Sequence, residues 1–371
     1  MSYITITAGF NASDNEAKML LSTAWLFKLA THRVFSYAKA TPILPASKVG
    51  WKNMFRKVAY KIIPNRRYAD SIVILVMGIY ESCRRLGIDF QVVELGYWLI
   101  FQQSEKEYPP RSITLKSVNE AWVTVFDYHG DTNRLRFRVS TSKKYKELLK
   151  ALLAERQPYN PRIVLKQQNV RGGKLYVKGE LHVSIPLDFY YRHMVRFKGS
   201  GGSLCGGVDV NADRINLAIV DRYGRLRDVR TFWFEEVSRK GCPGRRARAI
   251  TGMRVHEMLK YAYHHGVKTL FLENPNDLGK LRLLWIRSGK RLHRNYNWKV
   301  SVFRSSVIEA IAVKAPLYSI RVIYVNPRGT TCSREHDKIM RIHGLDRHSA
   351  SAYLIALKGI KRHTMIQKDI I

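Results

Sequence analysis

The stretch Gly206–Val220, GGVDVNADRINLAIV, decides the fold of the C-terminal part of this chain. Two apolar runs flank a short polar connection, and this pattern predicts two β-strands joined as a hairpin. A carboxylate, Asp209, stands inside the first run, where a valine would stabilise a strand better. An acid that weakens its own strand indicates a role in chemistry rather than in packing.

The residues around this hairpin predict an α/β domain over 204–371. The linker Lys198–Ser203, KGSGGS, separates this segment from everything upstream. Hairpin strands followed by alternating helices and strands are typical of an α/β arrangement. The predicted elements are a hairpin over 206–234, a helix over 245–265, a strand over 267–273, a helix over 289–315, a strand over 320–325 and a last helix that starts near Asp346.

Three acids of this segment occupy comparable positions. Asp209 lies in the first strand, Glu273 ends a buried strand, and Asp346 opens the final helix. Strand ends and helix starts of an α/β sheet meet at one edge, so we expect these carboxylates to lie together. Clustered carboxylates repel one another unless cations neutralise them, and oxygen ligands favour Mg²⁺ or Mn²⁺. The pattern predicts two-metal hydrolysis of a phosphodiester, although Asp346 taken alone also suits a helix N-cap.

The charge of the chain points to a polyanionic partner. Lysine and arginine number 64 against 29 acids, a formal net charge of +35 among 371 residues. The basic residues run along the whole chain instead of collecting in one tail, which favours a long nucleic acid held in a groove. The sequence leaves the oligomeric state open.

The same sequence argues against secretion and against a membrane partner. Its first ten residues, MSYITITAGF, lack the pattern of a signal peptide. Its longest apolar run, Ser71–Tyr80, is much shorter than the roughly 20 residues that a membrane span needs. None of the four cysteines forms a C-x-x-C pair, so a disulfide framework has no support. We therefore expect a cytoplasmic protein.

Upstream of the linker, the pattern changes from helical to extended. Residues 1–13 alternate like a strand, 14–106 are mostly helical with helices over 49–62, 68–85 and 90–104, and 107–198 again predict strands with one helix over 142–155. The first strand is expected to join the later ones. This organisation predicts a small β-barrel with a helical insertion.

Three motifs carry a resemblance to a known family. GGVDVNADRINLAIVDRYG resembles the first motif of RuvC-like (ribonuclease-H-like) nucleases, in a form close to transposon-encoded TnpB proteins. LFLENPNDL resembles the second motif and DRHSASAYLIA the third, with Asp346 at the catalytic aspartate. The resemblance is strong over 204–371. It implies a RuvC-like, RNase-H-like nuclease domain there, preceded by a β-barrel wedge domain with a helical recognition insertion.

The resemblance also implies an activity and its partners. It points to an RNA-guided DNA endonuclease with a guide RNA, a target DNA and Mg²⁺ or Mn²⁺ held by Asp209, Glu273 and Asp346. Two alternatives stay open: a domesticated, guide-RNA-dependent DNA-binding protein that does not cut, and a guide-independent RNase-H-like nuclease. A transposase is a weaker third alternative.

The chain departs from the family in two places. The zinc-ribbon region near 328–345 is reduced, because only Cys332 remains, with His336 and His343 as scattered donors, so zinc is not expected. His348 stands where the family often has an aspartate, and Ser351 where it often has alanine or asparagine. These differences leave the level of activity open.

Basic and aromatic residues are predicted to contact nucleic acid. Arg245, Arg246 and Arg248 enter a helix from a basic turn, while Arg291, Arg294 and Trp298 combine cations with a stacking surface, and Arg347 lies in the third motif. Solvated basic loops would show the same composition. Five further cations flank the predicted barrel strands and are candidates for RNA phosphate contacts: Arg162, Lys166, Arg171, Lys174 and Lys178.

Overall fold

A computed structural model describes most of the chain, in two compact units. The described residues are 3–86, 89–96, 99–103, 107–127, 129–194, 202–238, 242–274, 284–286, 305–326, 330 and 333–368. The first unit comprises residues 1–193 with 283–288, and the second comprises 194–282 with 289–371.

The helices up to residue 194 form around amphipathic patterns. They are α1 (Asp14–Ala40), α2 (Lys48–Tyr60), α3 (Arg66–Leu86), α4 (Lys143–Ala154) and α5 (Leu187–Met194). Helix α1 buries residues three or four positions apart, such as Leu20, Ala24 and Phe27, so one stripe of the helix faces the core. Ser47 is the N-cap of helix α2, and its hydroxyl accepts a hydrogen bond of 3.1 Å from the amide of Gly50.

The strands of the first unit form three antiparallel groups. They are β1 (Tyr3–Ser13), β2 (Val93–Leu95), β3 (Ile100–Gln102), β4 (Ile113–Ser117), β5 (Glu120–Phe126), β6 (Thr132–Arg138), β7 (Asn160–Arg171), β8 (Lys174–Pro186) and β13 (Leu284–Ile286). One sheet has the order β1-β8-β7-β3, another the order β4-β5-β6, and β13 pairs with β2. An isolated bridge between Gly9 and Ser140 joins the first two sheets. A closed barrel stays a prediction.

The helix predicted over residues 90–104 is wrong. A single 3-10 turn covers Phe90–Val92, and strands β2 and β3 follow it. The segment contains β-branched and aromatic residues such as Val93, Ile100 and Phe101, which suit a pleated, buried surface better than a helix. Tertiary pairing therefore overrides the apparent helical spacing at the end of the predicted helical insertion.

The second unit has one mixed sheet with helices. Its strands are β9 (Leu204–Val210), β10 (Arg214–Val220), β11 (Leu226–Trp233), β12 (Val267–Glu273) and β14 (Arg321–Val325), and its helices are α6 (Glu235–Ser238), α7 (Gly244–His264), α8 (Ser305–Lys314), α9 (Arg334–His343) and α10 (Arg347–Lys368). The strand order is β11-β10-β9-β12-β14. Strands β9 to β11 are antiparallel neighbours, whereas β12 runs parallel to both β9 and β14. This order and these directions are those of the ribonuclease-H-like fold.

Helix α10 lies directly on the central strand β9. A Cβ atom at Gly207 would stand 2.1 Å from the carbonyl oxygen of Ala352 and 2.5 Å from the amide nitrogen of Ala356, so only glycine allows this approach. Further along the helix, a Cβ at Gly359 would meet the ring of Phe271 at 2.1 Å. These contacts hold the start of α10 close to the end of β9.

Among the residues that the structure describes, none of the helices is both long and apolar enough to cross a membrane. The cytoplasmic location stays a prediction.

Candidate active site

The register of two parallel strands brings two acids together. Val208 of β9 pairs with Leu272 of β12, so the next residues, Asp209 and Glu273, lie side by side where the two strands end. Both residues are buried, with 3% and 6% of their surface exposed. Two neighbouring buried carboxylates make this edge strongly negative, which favours a cation and disfavours an anion.

Asp209 takes part in a polar network with Asn211 and His348. The side-chain amide of Asn211 donates to Asp209 Oδ2 at 2.7 Å. Nδ1 of His348 lies 3.3 Å from the same oxygen and 3.0 Å from the amide nitrogen of Asn211. The network connects the end of β9 to the first turn of α10, so it brings the first and third sequence motifs into contact.

Asp346 caps the helix that carries His348. Its Oδ1 accepts hydrogen bonds from the amides of His348 at 2.8 Å and Ser349 at 3.1 Å, and its Oδ2 accepts one from the Ser349 hydroxyl at 2.6 Å. Burial acts to raise the pKa of Asp346, but these hydrogen bonds together outweigh it, so the pKa lies below its usual value. Asp346 therefore serves as an N-cap, the alternative that the sequence left open.

The donor chemistry at this edge suits a divalent ion, but its arrangement is incomplete. Asp209 and Glu273 offer the hard oxygen ligands that Mg²⁺ and Mn²⁺ prefer. Within the described part of the chain, no group of three or more His, Cys, Asp or Glu side chains is arranged to hold a metal. Both oxygens of Asp346 are bonded within its own helix. A metal site shared by all three acids stays a prediction.

The predicted nucleic-acid contacts fall into two groups. Arg245, Arg246 and Arg248 are exposed in the first turns of α7, and Arg347 is exposed next to Asp346. The other three, Arg291, Arg294 and Trp298, lie outside the described residues. The positions of the exposed arginines are compatible with phosphate contacts, which stay predictions.

The two described histidines of the reduced ribbon region have structural partners. Nε2 of His336, which is buried, lies 2.9 Å from the carbonyl oxygen of Arg347. The ring of His343 packs edge-on against Tyr353, with 5.2 Å between centroids. Cys332 lies outside the described residues. The two imidazoles thus help to position α9 against α10.

For some polar residues of the site, the sequence pattern did not predict a functional role. Asn211 and His348 hold Asp209, and only the departure of His348 from the family motif drew attention to this position. The guanidinium of Arg214 stacks 3.9 Å from the ring centroid of Trp233, which is 44% exposed on the neighbouring strand. An arginine and an aromatic residue at paired positions of a predicted hairpin could have indicated this surface.

The second unit thus belongs to the class of ribonuclease-H-like α/β domains with an acidic strand edge. Residues 3–195 match the family model described as the SSO2105 N-terminal domain, and the chain belongs to that family. An uncharacterized protein from Aeropyrum pernix is 64% identical over 368 residues, which cover 99% of both chains. The uncharacterized protein SSO2105 from Saccharolobus solfataricus is 27% identical over 337 residues, covering 88% of this chain and 87% of the relative.

Solved structures show weaker likenesses. A chain of the cryo-EM structure of the Cas12f1-sgRNA-target DNA complex has a TM-score of 0.45 and 11% identity, covering 91% of this chain and 81% of that chain. RuvC of T. thermophilus in complex with a Holliday junction substrate has a TM-score of 0.30 and 15% identity, covering 43% of this chain and 95% of the RuvC chain. Likenesses at this level decide nothing about function, so the fold assignment depends on the strand order β11-β10-β9-β12-β14.

Proposed function

We propose that this protein is a divalent-metal-dependent nuclease, and more specifically an RNA-guided DNA endonuclease of the TnpB type. The observation that carries the proposal is the pair Asp209 and Glu273 at the end of the parallel strands of a ribonuclease-H-like sheet. The three sequence motifs and the net charge of +35 support a nucleic-acid substrate. Guidance by RNA is supported by the motif resemblance alone.

The residues of the site have different roles: some would bind a metal ion, and others orient the residues that bind it. Asp209 and Glu273 would bind Mg²⁺ or Mn²⁺, which supplies Lewis-acid activation of the phosphodiester and of water. Asn211 and His348 fix the rotamer of Asp209 through their contacts with Oδ2. Gly207 seats α10 on β9 and so keeps Asp346 and His348 near this carboxylate. Exposed arginines such as Arg245 and Arg347 would neutralise backbone phosphates.

A second candidate function is guide-RNA-dependent DNA binding without cleavage. It is favoured by the bonding of Asp346, whose two oxygens cap helix α10. The histidine at position 348 also removes a carboxylate that the family often has there. In this alternative the buried acids are held by protein side chains, and a metal never completes the site.

The deciding experiment combines purification with cleavage. The protein is purified from its host or with host RNA, the bound nucleic acid is sequenced, and DNA matching that RNA is supplied with Mg²⁺, with Mn²⁺ or with EDTA. We expect a discrete RNA and metal-dependent cutting of matching DNA. Asp209→Asn should abolish cutting while RNA and DNA binding persist, because the two side chains are close in size and only the charge is lost.

The other results separate the alternatives. Binding of matching DNA without cutting, in both metals, would establish the non-cleaving function. Cutting of any duplex by RNA-free protein would establish a guide-independent nuclease. If Asp209→Asn cuts as fast as the parent, the site assignment is wrong.

A further inference from the structure

One row of polar side chains crosses the four-stranded sheet of the first unit. Thr7 of β1 pairs with His182 of β8, His182 pairs with Arg162 of β7, and Arg162 pairs with Gln102 of β3. Directly paired residues project from the same face of a sheet. Their chain neighbours, such as Ile163, are buried on the opposite face. The row therefore lies on the polar side of this sheet.

Arg162 is oriented by this row but has no acidic partner in it. Its Nε donates to Gln102 Oε1 at 2.6 Å. Across the described ranges, this is its one side-chain hydrogen bond and it makes no ion pair, so both Nη groups keep their donors. Burial lowers the pKa of Arg162. A guanidinium nevertheless stays protonated, so a partly buried arginine with free Nη donors and no acid is well placed to receive an anion.

The acid on the same face is occupied by other groups. Glu180 lies one strand away from Arg162, at the next outward position of β8 after His182. Its Oε2 lies 2.8 Å from Nε2 of His182 and 3.4 Å from Nζ of Lys166. Glu180 is therefore shared between His182 and Lys166 instead of neutralising Arg162.

The hairpin that carries Arg162 extends this positive surface. Beyond Lys166, strand β7 runs to Arg171, and strand β8 returns with Lys174 and Lys178, all exposed. Tyr176 lies between these lysines and is 42% exposed. At about 3.3 Å per residue, the distance from Arg162 to Arg171 is about 30 Å, which is long enough for several phosphates.

A cavity along this extension offers polar groups. It has a volume of about 490 Å³ and is lined by residues of β1, β7 and β8, among them Asn11, Gln167, Arg171, Tyr176 and Lys178. Amide side chains, cations and an aromatic ring together suit a nucleotide strand better than an isolated anion.

We propose that the Nη groups of Arg162 bind a backbone phosphate of a nucleic-acid strand that follows the β7–β8 hairpin. Arginine binds phosphate oxygens through two parallel hydrogen bonds, and the Gln102 contact fixes the plane of the guanidinium for this purpose. The inference rests on the proposed function only for the choice of nucleic acid as the partner. The residues concerned lie in the first unit, whereas the carboxylates lie in the second.

The test measures binding without catalysis. Labelled single-stranded RNA and DNA of one sequence are titrated in EDTA with the parent, Arg162→Gln and the control Arg111→Gln. Arg111 lies in the same unit, is 75% exposed at its side chain and pairs with Glu107 at 3.7 Å, so its replacement removes the same charge elsewhere. We expect Arg162→Gln to weaken binding of at least one strand about tenfold, because a charge-assisted hydrogen bond is lost. The control should stay within about twofold.

Two further measurements distinguish a phosphate contact from packing. Arg162→Gln should lower the slope of log affinity against log salt by about 0.7, the value for one phosphate of a single strand. It should melt no lower than the parent, because it removes a charge that lacks a partner. Arg162→Lys keeps the charge and should bind the strands with an affinity between those of the parent and Arg162→Gln. If Arg162→Gln does not fold, Arg162→Lys replaces it in the test.

Three results would overturn the inference. The first is a folded Arg162→Gln or Arg162→Lys that binds both strands like the parent. The second is an equal loss of affinity in Arg111→Gln. The third is stabilisation of the parent by millimolar inorganic phosphate with unaltered strand binding in Arg162→Gln, which would assign the site to a free anion. Strand binding through Arg162 without metal-dependent cleavage leaves this inference intact and rejects the nuclease.

Discussion

The principal sheets of the two units place charged groups of opposite sign on their strands. In the first unit, β7 presents Arg162, which makes no ion pair with any residue that the structure describes. In the second, β9 and β12 end with Asp209 and Glu273 side by side. At Asp209 and Glu273 an apolar residue would stabilise the strand better, since a buried charge costs several kcal/mol. Arg162 is a partly buried charge on the polar side of its sheet. The sign of the charge predicts the partner: an anion for the first sheet and a cation for the second.

The two sheets also differ in how their charged groups are held. Arg162 is oriented by Gln102, a direct neighbour on the next strand. Asp209 is oriented by His348, which is 139 positions away in the chain and lies on a helix. The anion site thus depends on strand pairing alone, whereas the acidic site depends both on strand pairing and on how α10 packs. Changes to α10 should therefore affect the acidic site of the second unit.

The largest expected effect tests the acidic sheet directly. Glu273→Gln should reduce metal-dependent cleavage about a thousandfold, because one ligand to the ions is worth several kcal/mol of transition-state stabilisation. Binding of nucleic acid should be unchanged. Rates of single-turnover cleavage give the measurement, and Glu257→Gln is the control, since Glu257 is exposed and pairs with Arg254 at 2.8 Å. Equal cleavage rates for both variants would show that Glu273 holds no ion.

A smaller effect concerns the packing of α10 on β9. Gly207→Ala should lower the free energy of unfolding of the second unit by about 3 kcal/mol, because the methyl group would overlap the helix backbone. Chemical denaturation followed by tryptophan fluorescence measures this change. Gly9→Ala is the matched control in the first sheet, where the nearest atom to the new Cβ is 3.9 Å away. A change under about 1 kcal/mol is expected there. Similar changes in the free energy of unfolding for both variants would show that a methyl group is tolerated equally well in the two sheets.

The third effect concerns the affinity for a divalent ion. His348→Asp should raise the affinity for Mn²⁺ about tenfold, because it adds a carboxylate where Nδ1 now lies 3.3 Å from Asp209. Titration calorimetry on the protein without nucleic acid gives the dissociation constant. His343→Asp adds the same charge at the exposed end of α9 and should have little effect. Equal gains in both variants would mean that only the overall charge matters.

The smallest effect is on the cap of α10. Ser349→Ala removes the hydroxyl that donates to Asp346 and should cost about 1 kcal/mol at neutral pH. The folded pKa of Asp346 is depressed, so its stabilising contribution is present above the ordinary pKa and is lost as the pH falls through the folded pKa. The difference between Ser349→Ala and the parent should therefore shrink in acid.

The control for this cap is another buried serine of the same helix. Ser351 donates to the carbonyl oxygens of Thr330 and Arg347 and lies 3.3 Å from Nε2 of His336, and it bonds to no carboxylate among the described residues. The cost of Ser351→Ala, measured by denaturation across the same pH range, should not depend on the ionisation of Asp346. A parallel pH profile for both variants would contradict the role of Asp346 as a cap.

Local pattern predicted the strands of the second unit well. The strand over 267–273 is observed at those residues, and the one over 320–325 is observed over Arg321–Val325. Both are short apolar runs between helices, a pattern that local residues specify. The segment 90–104 failed because its strands depend on partners distant in the chain, Ile163 for Phe101 and Trp285 for Glu94.

The candidate sites could be predicted only in part, for a physical reason. The hairpin and strand patterns suggested that Asp209 and Glu273 share one edge, because the carboxyl ends of parallel strands meet. The contact of His348 with Asp209 depends on where α10 packs, which periodicity does not encode. The absence of an acid beside Arg162 among the described residues was equally hidden, because Glu180 lies one strand away but its side chain contacts His182 and Lys166.

The bare backbone at Gly207 has a consequence for the motion of the site. Main-chain atoms of β9 and α10 touch there with no side chain between them. A change of side-chain rotamer therefore cannot let the strand and the helix slide past each other. We therefore expect opening motions of the second unit to move Asp209 together with the part of α10 around Ala352 and Ala356. Any opening that admits a substrate has to come from other parts of the unit, and amide exchange should be slowest along this strand–helix seam.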